Sequence, residues 1–293
     1  MRVAVIDIGS NTARLLVSEQ GRRTTERIGE AKAYLRLGEE ILRNGRVGPE
    51  KLAETADEVR RFVTIARELG ATAIDVFVTA PARQAENADE VVTTIMRATD
   101  HFVRVLSAEE EGELAYQGAL ATTSVEREPV AVCDVGGGST ELVVGDRRHG
   151  ITWSRSVEMG SLRLTAATLH DDPPTKAQLA DARALVADLF CEVQPPEVGT
   201  ALAVGGSARA LARLTGRHLD ADTLERTLDV ITSQPVGQLA RTTSADAARA
   251  ATLAGGTIIL LEVTRRLGVP LRLAGGGLRE GAVARLLAPL EAA

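Results

Sequence analysis

Short apolar blocks punctuate the chain, each closed by glycine, proline or small polar residues. Val3-Ala4-Val5-Ile6 runs into Asp7, turns through Gly9-Ser10-Asn11-Thr12, and resumes as Leu15-Leu16-Val17. Two such runs around a polar turn predict an antiparallel hairpin. The same pattern returns 127 residues later, Asp7 to Asp134: Val130-Ala131-Val132-Cys133-Asp134-Val135-Gly136-Gly137, then Leu142-Val143-Val144. Shared Asp and Gly in one register point to a duplicated unit, and a duplicated unit dictates the architecture.

Between and after the copies the periodicity switches repeatedly. Leu52, Ala56, Val59, Phe62 and Ala66 recur at helical spacing, predicting a helix from Pro49 to Leu69 with proline at its start. Asp75 to Thr79 reads as a strand, Asn87 to Ala98 as a helix, and Val103 to Leu106 as a strand. Ala108 to Ala121 reads as a helix whose leading glutamates suit the positive N-terminal dipole. Later helices are expected over Thr175–Leu189, Ser207–Leu214 and Ala245–Leu267, and strands over Thr200–Val204 and Leu271–Ala274. Glu126-Arg127-Glu128-Pro129 is the best linker. The expectation is two α/β domains, 1–125 and 126–293, with a cleft between them.

Bulk properties narrow the chemistry. The length of 293 residues exceeds what one core usually supports. No apolar run approaches the roughly 20 residues that span a bilayer, and the quickly charged N-terminus reads as a strand, not a signal, so no membrane partner and a cytoplasmic location are expected. Cys133 and Cys191 each sit in an apolar run and are expected as buried thiols, although one disulfide is arithmetically allowed. The four histidines are scattered, which argues against zinc. A net charge of −6 argues against nucleic acid as a partner. It leaves room for a phosphorylated substrate, because local arginines and backbone amides hold anions on acidic proteins.

The two hairpin tips are where such an anion would bind. Gly-rich turns expose consecutive N–H groups, and nearby Ser, Thr and Asn add donors. Gly9, Ser10, Asn11 and Thr12 form one such loop, and Gly136, Gly137, Gly138, Ser139 and Thr140 the other, with Glu141 beyond it. Each opens on an aspartate, Asp7 or Asp134, and carboxylates beside phosphates imply Mg²⁺. In Ser107-Ala108-Glu109-Glu110-Glu111-Gly112, at least one acid could turn inward as a general base; spacing alone does not say which.

Together these segments resemble the exopolyphosphatase and guanosine pentaphosphate phosphatase family. The resemblance rests on Asp-x-Gly-Ser-Asn at Asp7, Asp-x-Gly-Gly-Gly-Ser-Thr-Glu at Asp134, and the Glu-Glu-Glu-Gly helix between them. It extends to Arg36-Leu37-Gly38-Glu39, Val78 to Asn87, and Gly276-Gly277-Leu278-Arg279-Glu280-Gly281. It implies two actin-like (ribonuclease H-like, ASKHA superfold) domains related by duplication, with an inter-domain active-site cleft. It also implies Glu111 as the base, Asp134 and Glu141 as residues that position metal and water, and Asp7 as a further Mg²⁺ (or Mn²⁺) ligand. The two loops, with Arg83 and Asn87, would hold phosphates; Gly205, Gly206 and Ser207 would face the distal chain or a nucleotide. Arg279 would add charge there or make a structural salt bridge.

The implied substrates are inorganic polyphosphate or guanosine pentaphosphate, and the implied assembly is a homodimer. Thr12, Ala80, Pro81 and Ala108 depart from the family pattern, bearing on substrate preference more than on the reaction. The chain resembles a short form, for which shorter polyphosphates or nucleotide-like substrates are expected. Two rival readings are a sugar- or acetate-kinase-like phosphotransferase and a non-catalytic alarmone or polyphosphate sensor. The Glu-Glu-Glu-Gly helix and the Gly-Leu-Arg-Glu-Gly ending oppose the first, and the full set of acids opposes the second.

Overall fold

The computed structural model describes residues 1–21, 25–216, 218–243 and 246–288. Strand β1 (Arg2–Ile8) pairs antiparallel with β2 (Thr12–Gln20), and β2 with β3 (Thr25–Tyr34). Helices α1 (Leu37–Asn44) and α2 (Pro49–Glu68) lead to β4 (Ala73–Val78), which joins β1 in parallel. Helices α3 (Ala80–Gln84) and α4 (Ala88–Thr99) lead to β5 (Val103–Val105), parallel to β4, and then to α5 (Ala108–Thr122). The sheet order is β3-β2-β1-β4-β5.

The second half starts again with β6 (Val130–Val135), β7 (Thr140–Asp146) and β8 (Gly150–Val157), followed by α6 (Ser161–Thr168) and α7 (Lys176–Leu189). Then come β9 (Thr200–Val204), α8 (Gly205–Thr215), β10 (His218–Leu219), α9 (Ala221–Thr232), α10 (Val236–Thr243), α11 (Ala247–Ala251), α12 (Leu253–Leu267) and β11 (Leu271–Leu273). The order β8-β7-β6-β9-β11 repeats that of the first sheet, with β10 added at the edge. The duplication holds pair for pair. Ile8 faces Ala13 across the first hairpin, and Val135 faces Thr140 across the second, each position 127 residues on.

Continuous apolar strands make sense because both faces of the first sheet are covered. Along β1, Ala4, Ile6 and Ile8 enter one core with α2 and α4 residues such as Phe62 and Ile95. Val3 and Val5 enter another with Phe77, Leu106 and Leu114, the last from α5. A single core in the second half gathers Ala131, Cys133 and Val135 of β6 with Ile258–Leu261 of α12.

The chain divides into two compact units. One holds residues 1–121 together with the segment from Leu278; the other holds Thr122–Gly277. The linear division at 125 and 126 therefore misplaces the last helix, α13 (Leu278–Leu287). Its Leu278, Ala282 and Val283 complete the core around Val3 and Val5. Gly281 makes this docking possible, since a Cβ there would lie 1.9 Å from the Leu114 carbonyl oxygen.

Two further expectations change. The long helix expected from Ala245 is broken at Thr252 into α11 and α12, and Ala245 itself lies outside the described residues. Cys133 is buried and Cys191 exposed, both as free thiols. Phe190, the residue that caps α7, takes the core position beside Cys191. Among the described residues, no helix is long and apolar enough to cross a membrane.

Gly281→Ala tests the docking of α13. A methyl against a backbone oxygen cannot be relieved by a rotamer change, so stability should fall by about 2 kcal/mol. A urea melt with an unchanged midpoint would show that α13 does not pack on α5.

Candidate active site

In an open α/β sheet, ligands gather at the carboxyl ends of the parallel strands. The first unit places three expected segments there. Gly9–Asn11 follows β1, Thr79–Arg83 follows β4, and Leu106–Glu111 follows β5. Backbone bonds stitch them side by side: Thr79 N donates to Ile8 O (3.1 Å) and Leu106 N to Val78 O (3.0 Å). The second unit does the same with Gly136–Ser139 after β6, Gly205–Ser207 after β9 and Ala274–Gly277 after β11.

Both tips have one build. Gly9 N donates to Thr12 O, and Gly136 N to Ser139 O, each at 3.0 Å. The tip carbonyls are taken by the chain entering the next helix. Leu35 N and Arg36 N converge on Asn11 O (both 3.1 Å), and Gly38 N reaches Ser10 O (2.7 Å). In the second unit Ser161 N donates to Gly136 O (2.9 Å), while Leu162 N and Arg163 N share Gly137 O (both 3.1 Å). Gly160 lets the loop lie flush, as its Cβ would come within 2.4 Å of the Gly137 carbonyl carbon.

The first tip also holds buried polar side-chain atoms. Ser10 and Asn11 are 4% and 8% exposed, and neither Ser10 Oγ nor Asn11 Oδ1 has a hydrogen-bond partner among the described residues. Buried polar groups are nearly always satisfied, so two orphans in one turn fit a binding loop.

The glutamate triplet is sorted by local geometry. Ser107 Oγ accepts from Glu110 N while Glu110 Oε2 accepts from Ser107 N, both at 3.0 Å, a capping box that commits Glu110 to the helix end. Glu109 is exposed. Glu111 turns inward, 7% exposed, and Arg83 Nη1 donates to its Oε2 at 2.9 Å and to Leu106 O at 3.0 Å. Arg83, expected at a phosphate, thus holds the candidate base.

Asn87, expected near a phosphate, is engaged with the loop before α2. Its Oδ1 accepts from Val47 N and its Nδ2 donates to Val47 O, both at 2.9 Å, so both ends of the amide clip the loop before α2. Val47 is buried, and its peptide finds its partners in these bonds. Arg279 is buried on α13 and makes no ion pair among the described residues; its neighbour Glu280 takes one with Arg27.

The copies differ in charge. Asp7 faces Arg14 across the first hairpin, whereas Asp134 faces Glu141 across the second. Directly opposed residues share a face, so two carboxylates stand side by side there. Glu141 is 2% exposed, and Ser156 Oγ donates to its Oε1 at 3.1 Å. Burial first, then the Asp134 and Glu141 charges, push the Cys133 thiol well up, which makes it inert. Two carboxylates opposed in register supply the oxygen donors a divalent cation takes. Among the described residues no three acidic, histidine or cysteine side chains gather as a metal-ligand group, so what this hairpin offers is a pair.

The Gly205-Gly206-Ser207 loop opens α8 beside that pair. Gly205 has φ +86°, and a Cβ on it would lie 2.4 Å from Asp134 Oδ1. Arg249 of α11, which sequence reasoning missed, reaches the same loop. Its Nη1 lies 3.5 Å from Ser207 Oγ, and a Cβ on Gly206 would sit 2.3 Å from its Nη2. Nothing in its alanine-rich surroundings marked it.

The chain is similar to known proteins. The Ppx/GppA phosphatase family matches residues 16–289. Exopolyphosphatase 2 of Mycobacterium tuberculosis is 32% identical over 194 residues, covering 63% of this chain and 60% of the relative, so the chain spans less than two thirds of that protein. Exopolyphosphatase 1 of the same organism is 30% identical over 310 residues, covering 98% of this chain and 88% of the relative. The crystal structure of the Aquifex aeolicus Ppx/GppA family member superposes with a TM-score of 0.84 at 26% identity, covering 100% of this chain and 99% of that one.

Removing one partner of the Arg83–Glu111 pair takes away a charge-assisted hydrogen bond to a buried carboxylate. Arg83→Met should cost about 3 kcal/mol, and Arg83→Met/Glu111→Gln less than about half of that. Additive losses in urea melts of the two single variants and the double would show that the two side chains act independently.

Proposed function

This chain belongs to the Ppx/GppA phosphatase family, and we propose that it hydrolyses the terminal phosphoanhydride of inorganic polyphosphate or guanosine pentaphosphate. The observation that carries this reading is Glu111, a carboxylate turned inward at the start of α5 and held by Arg83, where its neighbours Glu109 and Glu110 are exposed or capping.

Phosphoanhydride hydrolysis needs positioned water, a fixed phosphate and charge neutralisation more than covalent help. Glu111 accepts the proton of the attacking water. In the first unit Ser10, Asn11 and the tip backbone bind phosphate oxygens; in the second the Gly136–Ser139 tip does so, with the Gly205–Ser207 loop that Arg249 reaches beside it. Asp134 and Glu141 fit a divalent cation, Mg²⁺ or Mn²⁺, because two carboxylates opposed across one hairpin supply the oxygen donors such an ion takes. Such a cation, when bound, supplies charge neutralisation at the phosphate oxygens. Asp7 is the weaker ligand candidate, since its cross-strand neighbour is Arg14. The free cysteines accord with a reducing cytoplasm; the homodimer rests on the resemblance alone.

Purified protein should release phosphate from short polyphosphate, long polyphosphate or guanosine pentaphosphate with Mg²⁺ or Mn²⁺ present. Glu111→Gln should keep the wild-type circular dichroism and lose at least about a hundredfold in turnover. No release from any of the three substrates by the wild type would end the proposal.

The acidic pair gives a second test without turnover. Mg²⁺ should raise the wild-type Tm by mass action. Glu141→Gln should abolish the Mg²⁺ shift. An undiminished shift in that variant would place the cation elsewhere.

A further inference from the structure

Only two non-glycine residues in the described chain have positive φ: Arg36 and Asp100, both at 55°. Asp100 is explained. It caps the end of α4, its N–H returns to Met96 O at 2.9 Å, and aspartate tolerates the left-handed region. Arg36 is not explained by capping. It precedes α1, makes no side-chain bond to the helix end, and would be replaced at lower cost by glycine. A left-handed arginine held in place by its surroundings points to a use for the side chain.

Its position indicates the use. The Arg36 amide is bonded to Asn11 O at 3.1 Å, directly beside the buried, unpartnered Ser10 Oγ and Asn11 Oδ1. The Asn11 amide can turn over to present its N–H donors instead. The Arg36 side chain is exposed, and no hydrogen bond or ion pair holds its guanidinium among the described residues. The repeat supplies an independent observation. Leu35-Arg36-Leu37 recurs as Leu162-Arg163-Leu164, again 127 residues on, and Arg163 likewise bonds a tip carbonyl, Gly137 O at 3.1 Å. Arg163 lies inside α6 with ordinary helical backbone. What the two copies share is therefore the arginine and its seat at the tip, not the backbone conformation.

We propose that Arg36 is a substrate-binding residue that grips a phosphate of the condensed chain together with Ser10 and Asn11. The inference rests on the hydrolase reading above. A guanidinium fork matches phosphate oxygens, and its exposure makes the contact salt-sensitive. It acts on binding rather than on chemistry, since Glu111 supplies the proton transfer.

The test is Arg36→Gly, with Arg36→Ala and Arg36→Lys, assayed for phosphate release from polyphosphate. Arg36→Gly relieves the backbone strain, so its Tm should rise by about 2–4 °C. Its KM should rise about tenfold with kcat within about threefold, and its KM should lose much of the wild-type dependence on salt. Arg36→Lys should recover part of the affinity at low ionic strength. An unchanged KM and salt slope in Arg36→Gly, or in Arg36→Ala should the glycine variant not fold, overturns the inference while leaving the hydrolase reading intact. An inactive wild type sinks that reading instead, and the inference with it.

Discussion

The bonds from the entry of a helix to the carbonyls of a hairpin tip are the constraint on which both candidate loops depend. A glycine-rich turn has many accessible conformations, and ordering it costs more entropy than ordering any other sequence. Here Ser10 O and Asn11 O accept from Gly38, Leu35 and Arg36, while Gly136 O and Gly137 O accept from Ser161, Leu162 and Arg163. Amides at a helix start have no partner within the helix, so each tip satisfies donors that otherwise need solvent. The carbonyls, which would repel an anion, are occupied by the same bonds. One arrangement thus fixes the turn and clears acceptors from the binding side.

Duplication supplied two such tips, and their charges have diverged. At the equivalent cross-strand positions the first hairpin opposes Asp7 to Arg14, and the second opposes Asp134 to Glu141. The candidate base is not part of either tip. It comes from α5, the helix that covers the Val3–Val5 face of the first sheet and against which α13 packs. A closing segment distant in sequence therefore supports the helix that carries Glu111. Substitutions in α13 would be felt at the site through packing alone.

Much of this was legible in the sequence, and the failures have physical causes. Both hairpins, the strands at Asp75 and Thr200, and the helices from Pro49 and Ala108 follow from periodicity, because each buries a regular face. Exposed edge strands such as β3, whose ten residues Thr25–Tyr34 are half-buried or exposed, carry no such pattern. The break at Thr252 was hidden because no glycine or proline stands at it, so alanine-rich α11 runs straight into apolar α12. Helix α13 joins the first unit through a contact across more than 150 residues, which no local pattern encodes. In the site, the Gly-rich tips were visible from composition. The sorting of Glu109, Glu110 and Glu111 was encoded too, in the Ser107-x-x-Glu110 capping box that leaves the next residue on the inward face. Asn87 and Arg249 were not legible, since an amide clipping a peptide and an arginine crossing to a loop are decided by tertiary neighbours.

The size of the acidic cluster bears on how a cation would be held. A protein that keeps a resident divalent ion surrounds it with several carboxylates and carbonyls, and no group of three candidate ligands exists among the described residues. Mg²⁺, by contrast, is commonly held by one or two carboxylates, with water and substrate phosphates completing its shell. On the proposed reading the Asp134–Glu141 pair is sufficient because the substrate brings the remaining oxygens. Cation and phosphate chain would then bind cooperatively, each reducing the charge the other meets. Glu141 is buried, and its bond from Ser156 orients one carboxylate oxygen for that arrangement.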